Sequence, residues 1–294
     1  MMSSLPPRPA MSGRAAVLGH AAALGRAAAL GRTMSLGLAA LGLAACGDDT
    51  PPAPKELTVS ALRLIGQQVL PRRMDFQGTV VGGLSGGDYD AASGQYVFLS
   101  DDRTTTDSPN PPRMYTATLT FDAQSFSAVT ITATLTLKQP GGLVYPKVPD
   151  PAVADPESVR INPLSGNYVW VSEGDRALTA VPPRIIDPFI REVSPDGSHL
   201  RSILWPSAFK MSTENKGPRG NAVFEGLTFL PDGSKLAVLA EGPLQEDGPA
   251  PTVDAGATAR LTVITHATGA MAQYLSLIHI SEPTRRTPIS YAVF

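Results

Sequence analysis

Three stretches of this chain repeat one pattern: an acid or hydroxyl, a tight turn, an apolar run and a second acid. The clearest reads Pro156-Glu157-Ser158-Val159-Arg160-Ile161-Asn162-Pro163-Leu164-Ser165-Gly166-Asn167-Tyr168-Val169-Trp170-Val171-Ser172-Glu173. Asn162 to Gly166 is a strong turn signal. Tyr168 to Val171 is β-branched and aromatic, the composition of a strand. The stretch reads as a hairpin folded about Ser165, with Glu157 and Glu173, sixteen residues apart, side by side at its open end. Phe224-Glu225-Gly226-Leu227 leads through Pro231-Asp232-Gly233 to Leu236-Ala237-Val238-Leu239-Ala240-Glu241, and Glu225 and Glu241 keep that spacing. An earlier copy runs from Gly83-Leu84-Ser85-Gly86 through Ala92-Ser93-Gly94 to Tyr96-Val97-Phe98-Leu99-Ser100-Asp101, pairing Ser85 with Asp101 at the same interval. Supersecondary units repeated at such periods mark a propeller or a solenoid.

The rest of the chain agrees with an all-β fold. Residues 57–70 read as one or two short strands, 76–81 as another, and 114–121 with 128–137 as a strand pair. Residues 189–193 and 200–204 flank the turn Ser194-Pro195-Asp196-Gly197, and 260–265 is a further strand. Residues 104–113, 139–155, 176–188, 205–222 and 242–258 read as loops, and no amphipathic helix is expected. Many short strands with regular turn signals predict a sandwich, barrel or propeller. A repeat near 70 residues favours a β-propeller with inserted loops. Tyr96-Val97-Phe98-Leu99 suits a strand buried on both faces between neighbouring blades. The fold expected is β-propeller-like and incomplete, lacking at least one closing blade.

Carboxylates directly opposed across antiparallel strands lie about 5 Å apart. There they repel by about 3 kcal/mol at an effective dielectric near 20. Three hairpins carrying that cost point to a hard cation such as calcium, which takes several oxygen ligands. The alternative is that the acids are solvated strand ends that never converge.

Composition narrows the partners. From Cys46 to Tyr274 the chain carries 18 Lys and Arg against 25 Asp and Glu, a net charge of −7. A nucleic-acid ligand needs a basic face, so none is expected. A single cysteine excludes an intrachain disulfide. His199 and His266 have no Cys or His neighbour at zinc-ligand spacing.

Residues 1–45 read as a lipoprotein signal peptide. Arg14, Arg26 and Arg32 precede a short apolar core at 34–42, and Leu43-Ala44-Ala45-Cys46 matches a lipobox in which Cys46 is lipidated. The core is too short to span a bilayer. An ordinary signal peptide with an incidental Cys46 is the other reading. Residues 46–56 are polar and proline-rich, a flexible tether between lipid and domain. The domain at 57–274 is then expected in the bacterial cell envelope, held to a membrane through its N-terminal lipid. At the other end, residues 275–285 resemble the in-frame translation of a sequencing adapter, and 289–294 the adapter that follows it. Residues 275–294 are therefore read as a non-native tail.

Gly83-Leu84-Ser85-Gly86 with Ser100-Asp101-Asp102-Arg103, Asp155-Pro156-Glu157 with Val171-Ser172-Glu173, and Phe224-Glu225-Gly226-Leu227 with Pro231-Asp232-Gly233 and Glu241 resemble, in order, the phytase-like family described as having "esterase-like activity of phytase". The resemblance covers roughly residues 70–274. It implies a β-propeller related to calcium-dependent phytases, and hydrolysis of a phosphate ester by calcium-held phosphate and activated water. It also implies Asp101, Glu157, Glu173, Glu225 and Glu241 as calcium ligands, and Arg103, Lys216 and Arg219 as phosphate contacts. Of the acidic signature of calcium phytases, only Asp155-Pro156-Glu157 comes near.

Two other functions fit the same residues. Gly83-Leu84-Ser85-Gly86-Gly87 matches the G-x-S-x-G nucleophile elbow, which would make Ser85 the nucleophile of a serine esterase and requires a helix after it. A monomeric propeller could instead bind an envelope ligand or protein partner without catalysis, since fold does not fix function.

Overall fold

The structure, a computed structural model, describes residues 59–105, 110–252 and 254–278. The stretches expected to be a signal peptide and a tether, with Cys46, lie outside the described residues, as does the C-terminal stretch from 279. The chain from Ala61 onward is one unit.

Strands make up nearly all of the regular secondary structure among the described residues. A short hairpin, β1 (Met74–Phe76) and β2 (Thr79–Val81), comes first. Its turn is Gln77-Gly78, both with left-handed φ, 51° and 76°. Two such residues make the tight hairpin turn whose twist matches that of the strands, so the expected strand at 76–81 is split in two. Next come β3 (Leu84–Asp90), β4 (Gln95–Ser100), β5 (Arg113–Phe121) and β6 (Phe126–Thr136), an antiparallel meander in that order. A second meander joins β7 (Pro156–Ile161), β8 (Tyr168–Ser172), β11 (Phe189–Val193) and β12 (His199–Ile203). Between β8 and β11 sits an inserted hairpin, β9 (Asp175–Ala177) with β10 (Arg184–Ile186). The third meander is β13 (Phe224–Phe229), β14 (Lys235–Ala240), β15 (Ala257–Thr265) and β16 (Met271–Ile278).

The three meanders stack as propeller blades. The first strand of each lies innermost, with β7 between β3 and β13. Alternate side chains of a strand point to opposite faces, and each blade uses both. Val97 and Leu99 of the first blade meet Val159 and Trp170 of the second. Val169 and Val171, on the opposite face of β8, meet Phe224, Leu236 and Val238 of the third. On the outer face of the first blade, Phe98, Tyr115 and Ile131 are covered by Val81, Met74 and Phe76 of the β1–β2 hairpin. Leu239 occupies the position that Leu99 and Val171 hold in their blades. Those two are fully buried, whereas Leu239 is 36% exposed. No further described sheet covers the third blade's outer face.

The blades approach closely near the centre. A Cβ on Gly86 would stand 2.9 Å from Ser158 Cα and Val159 N. Only glycine lets β3 come this near β7. Ser85 Oγ donates to the Glu157 carbonyl at 2.9 Å and Arg160 Nη1 to the Gly87 carbonyl at 2.7 Å, tying the two blades together.

Two further sequence expectations are corrected. No strand forms in the described part of 57–70. Ile65 accepts a backbone bond from Phe126, but Leu62, Leu64 and Val69 stay exposed. The expected loop at 176–188 contains most of the β9–β10 hairpin. Helix is confined, among the described residues, to two short 3-10 turns, Ser207–Phe209 and Gln245–Asp247. β16 continues to Ile278, four residues into the stretch that resembles an adapter. A ladder needs only backbone groups, so this pairing is indifferent to the origin of those residues.

Candidate metal centre

Each blade opens with the same irregularity. In β3 the register with β4 shifts between Leu84 and Gly86, in β7 between Pro156 and Ser158, and in β13 between Phe224 and Gly226. The extra residue is Ser85, Glu157 or Glu225. A bulge leaves one residue without a cross-strand partner and re-aims its side chain. Glu157 is therefore not paired with Glu173, as simple hairpin geometry would have it. Pro156 pairs with Ser172, and the glutamate turns out of the ladder.

The second acid of each repeat lies one residue beyond its strand and is fixed by the same bond in all three blades. Asp101 N donates to the Gly83 carbonyl at 2.7 Å, Glu173 N to that of Asp155 at 3.0 Å, and Glu241 N to that of Val223 at 2.7 Å. In the first blade, Asp101 lies over Gly83. Its Oδ1 is 1.8 Å from where a Cβ would stand, and Gly83 has φ +57°. Ser100 Oγ bonds the Gly82 carbonyl, and Ser172 Oγ accepts from Asp155 N, so the strand ends are held from both sides.

Because the innermost strands are adjacent, these ends converge. Carboxylate oxygens of Asp155, Glu157 and Glu173 all lie within 4.8 Å of one another, and so do those of Glu173, Glu225 and Glu241. Glu173 belongs to both groups. Asp101 stands close enough to act electrostatically on Asp155, Glu157 and Glu225. The structure thus brings together all five acids expected from sequence, although Asp101 is in neither close group. It adds a sixth, Asp155. Asp155 and Glu173 are buried and Glu157 is half-buried. Asp101, Glu225 and Glu241 are open to solvent yet closely surrounded by protein, as at the mouth of a concavity. Beside Asp101 a cleft of about 250 Å³ is lined by Val80, Gly82, Gly83, Asp102 and Arg113.

This grouping is electrostatically costly. Burial pushes Glu157 up to about 10, helped by Glu225, Asp155, Glu173 and Asp101. Burial likewise raises Asp155, Glu173 and Glu225 to about 7 each. Arg103 pulls Asp155 back, while Asp155 itself pushes Glu173 upward and Glu241 pushes Glu225. Asp101 and Glu241 are also raised, mainly by burial. Like charges held together make the charged form unfavourable, and a cation reverses that logic. Glu173 Oε1 is buried with no hydrogen-bond partner, a rare state for a polar atom. Asp155 Oδ2 has a charge partner, Arg103 Nη2 at 2.8 Å, but that contact is off the hydrogen-bond axis. A purely carboxylate donor set with an unpartnered buried oxygen fits a hard cation such as calcium. It does not fit zinc, which favours His and Cys.

The basic residues divide. Arg103 stands at the cluster, on Asp155 and the Gly174 carbonyl, with Asp175 Oδ1 at 3.8 Å. Lys216 is paired with exposed Glu214 at 2.9 Å. Arg219 is folded onto the Pro243 and Gly248 carbonyls, each at 2.6 Å. Ser85 is followed by a strand, not the helix that a nucleophile elbow needs. His199 contacts Ser202, and His266 contacts Asn162, Arg201 and Glu192, so neither serves as its base. Asp155 and Asp175 were missed as site residues. Asp155 is not a repeat position, since Gly83 and Val223 stand at its equivalents. Its one sequence signal was Asp155-Pro156-Glu157.

Two solved structures show a remote likeness. A crystal structure described as a 6-phosphogluconolactonase from Bacteroides uniformis aligns with 13% identity and a TM-score of 0.30 over 68% of this chain. The chain spans 58% of that protein's length. A second, described in the same way, from Bacteroides fragilis, aligns with 10% identity and a TM-score of 0.26 over 68% of this chain and 72% of the other. No curated protein matches by sequence. The family described as "Esterase-like activity of phytase" matches residues 79–286, well over half of the chain, and takes in all three bulged hairpins. The protein is accordingly a member of this phytase-like family.

Proposed function

We propose that the protein is a calcium-dependent phosphoester hydrolase, exported to the cell envelope and anchored through a lipid on Cys46. One observation carries the proposal: the blade ends bring Asp155, Glu157, Glu173, Glu225 and Glu241 together in two overlapping groups with Asp101 nearby, and Glu173 leaves a buried oxygen without a donor. Asp155, Glu157 and Glu173 form one candidate ligand group, and Glu173, Glu225 and Glu241 the other. Calcium bound there supplies charge neutralisation of phosphate oxygens and acidification of water.

The chain's own residues do the rest. The bulges fix the direction of Glu157 and Glu225, and the bonds from Glu173 N and Glu241 N fix the backbone beneath the other two. Raised proton affinity keeps part of the cluster neutral at pH 7 without calcium, so binding releases protons. Lys216 and Arg219 lie on the long loop before the third blade and reach phosphate only by leaving their present partners.

The deciding experiment measures phosphate release from inositol hexakisphosphate with calcium and with chelator, beside calorimetric titration of calcium alone. Calcium-dependent release with measurable binding supports the reading. Binding without turnover leaves a calcium-held ligand-binding propeller instead, and no binding removes the metal reading. Labelling with a radioactive fatty acid, present in the native chain and absent in Cys46→Ser, tests the anchor.

A further inference from the structure

Arg103 comes from the first blade, two residues after Asp101, and reaches the second. Its Nη2 stands 2.8 Å from Asp155 Oδ2, 3.8 Å from Asp175 Oδ1, and donates to the Gly174 carbonyl at 3.1 Å. Asp175 is 8% exposed and is itself fixed, because Arg184 Nε donates to its Oδ2 at 2.7 Å and β10 pairs with its backbone. The Arg103 side chain keeps 31% of its surface open. One guanidinium nitrogen thus serves three acceptors, and only one of them, Asp155, belongs to a metal-ligand group. That contact is an ion pair outside hydrogen-bond geometry, so, unlike the bond to the Gly174 carbonyl, it exchanges without a hydrogen bond being broken. Asp175 and Gly174 stand outside both ligand groups and hold Arg103 in place whatever occupies Asp155.

We propose that Arg103 is an exchangeable partner of the metal centre. It neutralises Asp155 while the site is free of metal, yields Asp155 when calcium binds, and then offers its remaining N–H groups to an anionic oxygen of the phosphate ligand. The inference rests on the calcium reading above. Guanidinium geometry suits it, since Arg presents a planar fork of donors to phosphate. Two linked consequences follow. Arg103 competes with calcium for Asp155, so it weakens calcium binding on its own. Phosphate then binds better to the calcium-loaded site, and by reciprocity tightens calcium.

The test titrates full-length protein with calcium alone, then with inorganic phosphate at saturating calcium. Native chain, Arg103→Ala, Arg103→Lys and Asp175→Asn are compared. Arg103→Ala is expected to bind calcium about threefold more tightly or better and phosphate about tenfold more weakly. Arg103→Lys keeps the charge and loses the fork, so its calcium affinity stays near native and its phosphate affinity falls between the two. Asp175→Asn, which loosens Arg103, weakens phosphate binding less than Arg103→Ala does. A merely structural arginine would lower both affinities together, and that result overturns the proposal. So does unchanged phosphate affinity in Arg103→Ala when calcium binds normally. Failure of the native chain to bind calcium removes the metal reading and this exchange with it. Melting curves in chelator show whether each variant is folded.

Discussion

Replacing Glu173 by glutamine removes the one carboxylate that both ligand groups share and keeps its shape. Without metal, that carboxylate opposes folding. Its proton affinity rises from the ordinary 4.5 to about 7, through burial first and Asp155 next. Each unit is worth about 1.4 kcal/mol, so the ionised form costs the fold roughly 3 kcal/mol. Glu173 is 1% exposed, so solvent screens little of this. The sign follows from linkage. The folded state holds the proton more tightly than the unfolded chain, so the penalty is absent below pH 4.5, grows as pH rises, and is full above 7. In chelator at pH 8, Glu173→Gln is therefore expected to be more stable than the native chain by up to about 3 kcal/mol. For a domain of this size that raises Tm by about 2–4 °C per kcal/mol. Neighbours that take up protons as Glu173 ionises reduce the gain. At pH 5 the difference shrinks to about 1 kcal/mol or less. At a hundred times Kd, calcium stabilises the native chain by about 2.7 kcal/mol and the variant far less, which closes most of the gap at pH 8 and inverts the order at pH 5. Scanning calorimetry at pH 5 and 8, with chelator and with calcium, reads all four cases. A variant that melts below the native chain in chelator at pH 8, or gains as much from calcium, would refute the shared-ligand geometry.

The native chain in chelator should lose stability steadily from pH 5 to 8, because Asp155, Glu173 and Glu225 titrate near 7 in the fold and well below that when unfolded. Saturating calcium should flatten that slope, which urea unfolding at each pH would reveal. Ser85→Ala should keep any esterase or phosphatase activity and lose about 1 kcal/mol of stability, since its hydroxyl serves the Glu157 carbonyl. Activity on p-nitrophenyl esters that vanishes with this change would restore the serine mechanism. Gly86→Ala should destabilise by roughly 2–4 kcal/mol, because the new methyl meets backbone of β7 on a well-ordered strand. Gly83→Ala should weaken calcium binding by displacing Asp101, with about 1 kcal/mol of left-handed backbone strain added. An unchanged calcium isotherm would place Asp101 outside the centre.

Much of the fold was legible because local rules decided it. Tyr96 to Leu99 and Tyr168 to Val171 are apolar on both faces, and each packs between two layers. The turns at Asn162, Asp196 and Asp232 close their hairpins because each side-chain oxygen accepts from the backbone amide two residues on. What failed was non-local. Residues 59–70 alternate like a strand, but their backbone bond to another segment is the one from Phe126 N to the Ile65 carbonyl, and alternation without a partner edge makes no ladder. The β9–β10 hairpin hid in a proline-rich stretch, where its three-residue strands are too short to show a period.

The metal centre divides along the same line. An interval of sixteen put Glu157 near Glu173 and Glu225 near Glu241, and those pairs are real. A simple hairpin would leave three separate pairs, each facing its own strand end. Convergence depends on the bulge, which no interval reveals, because the odd residue is absorbed between a strand and its turn. It depends as well on Gly86, whose missing side chain lets neighbouring innermost strands close up. Asp155 and Asp175 were out of reach for a related reason: each occurs in one blade only, at places where the other blades carry Gly83 and Val223, or Arg103 and Pro243. Repetition exposes what the blades share. The asymmetry that gives this centre its arginine and its sixth carboxylate lies in what they do not share, and there only the packing of one blade against the next brings Arg103, Asp155 and Asp175 together.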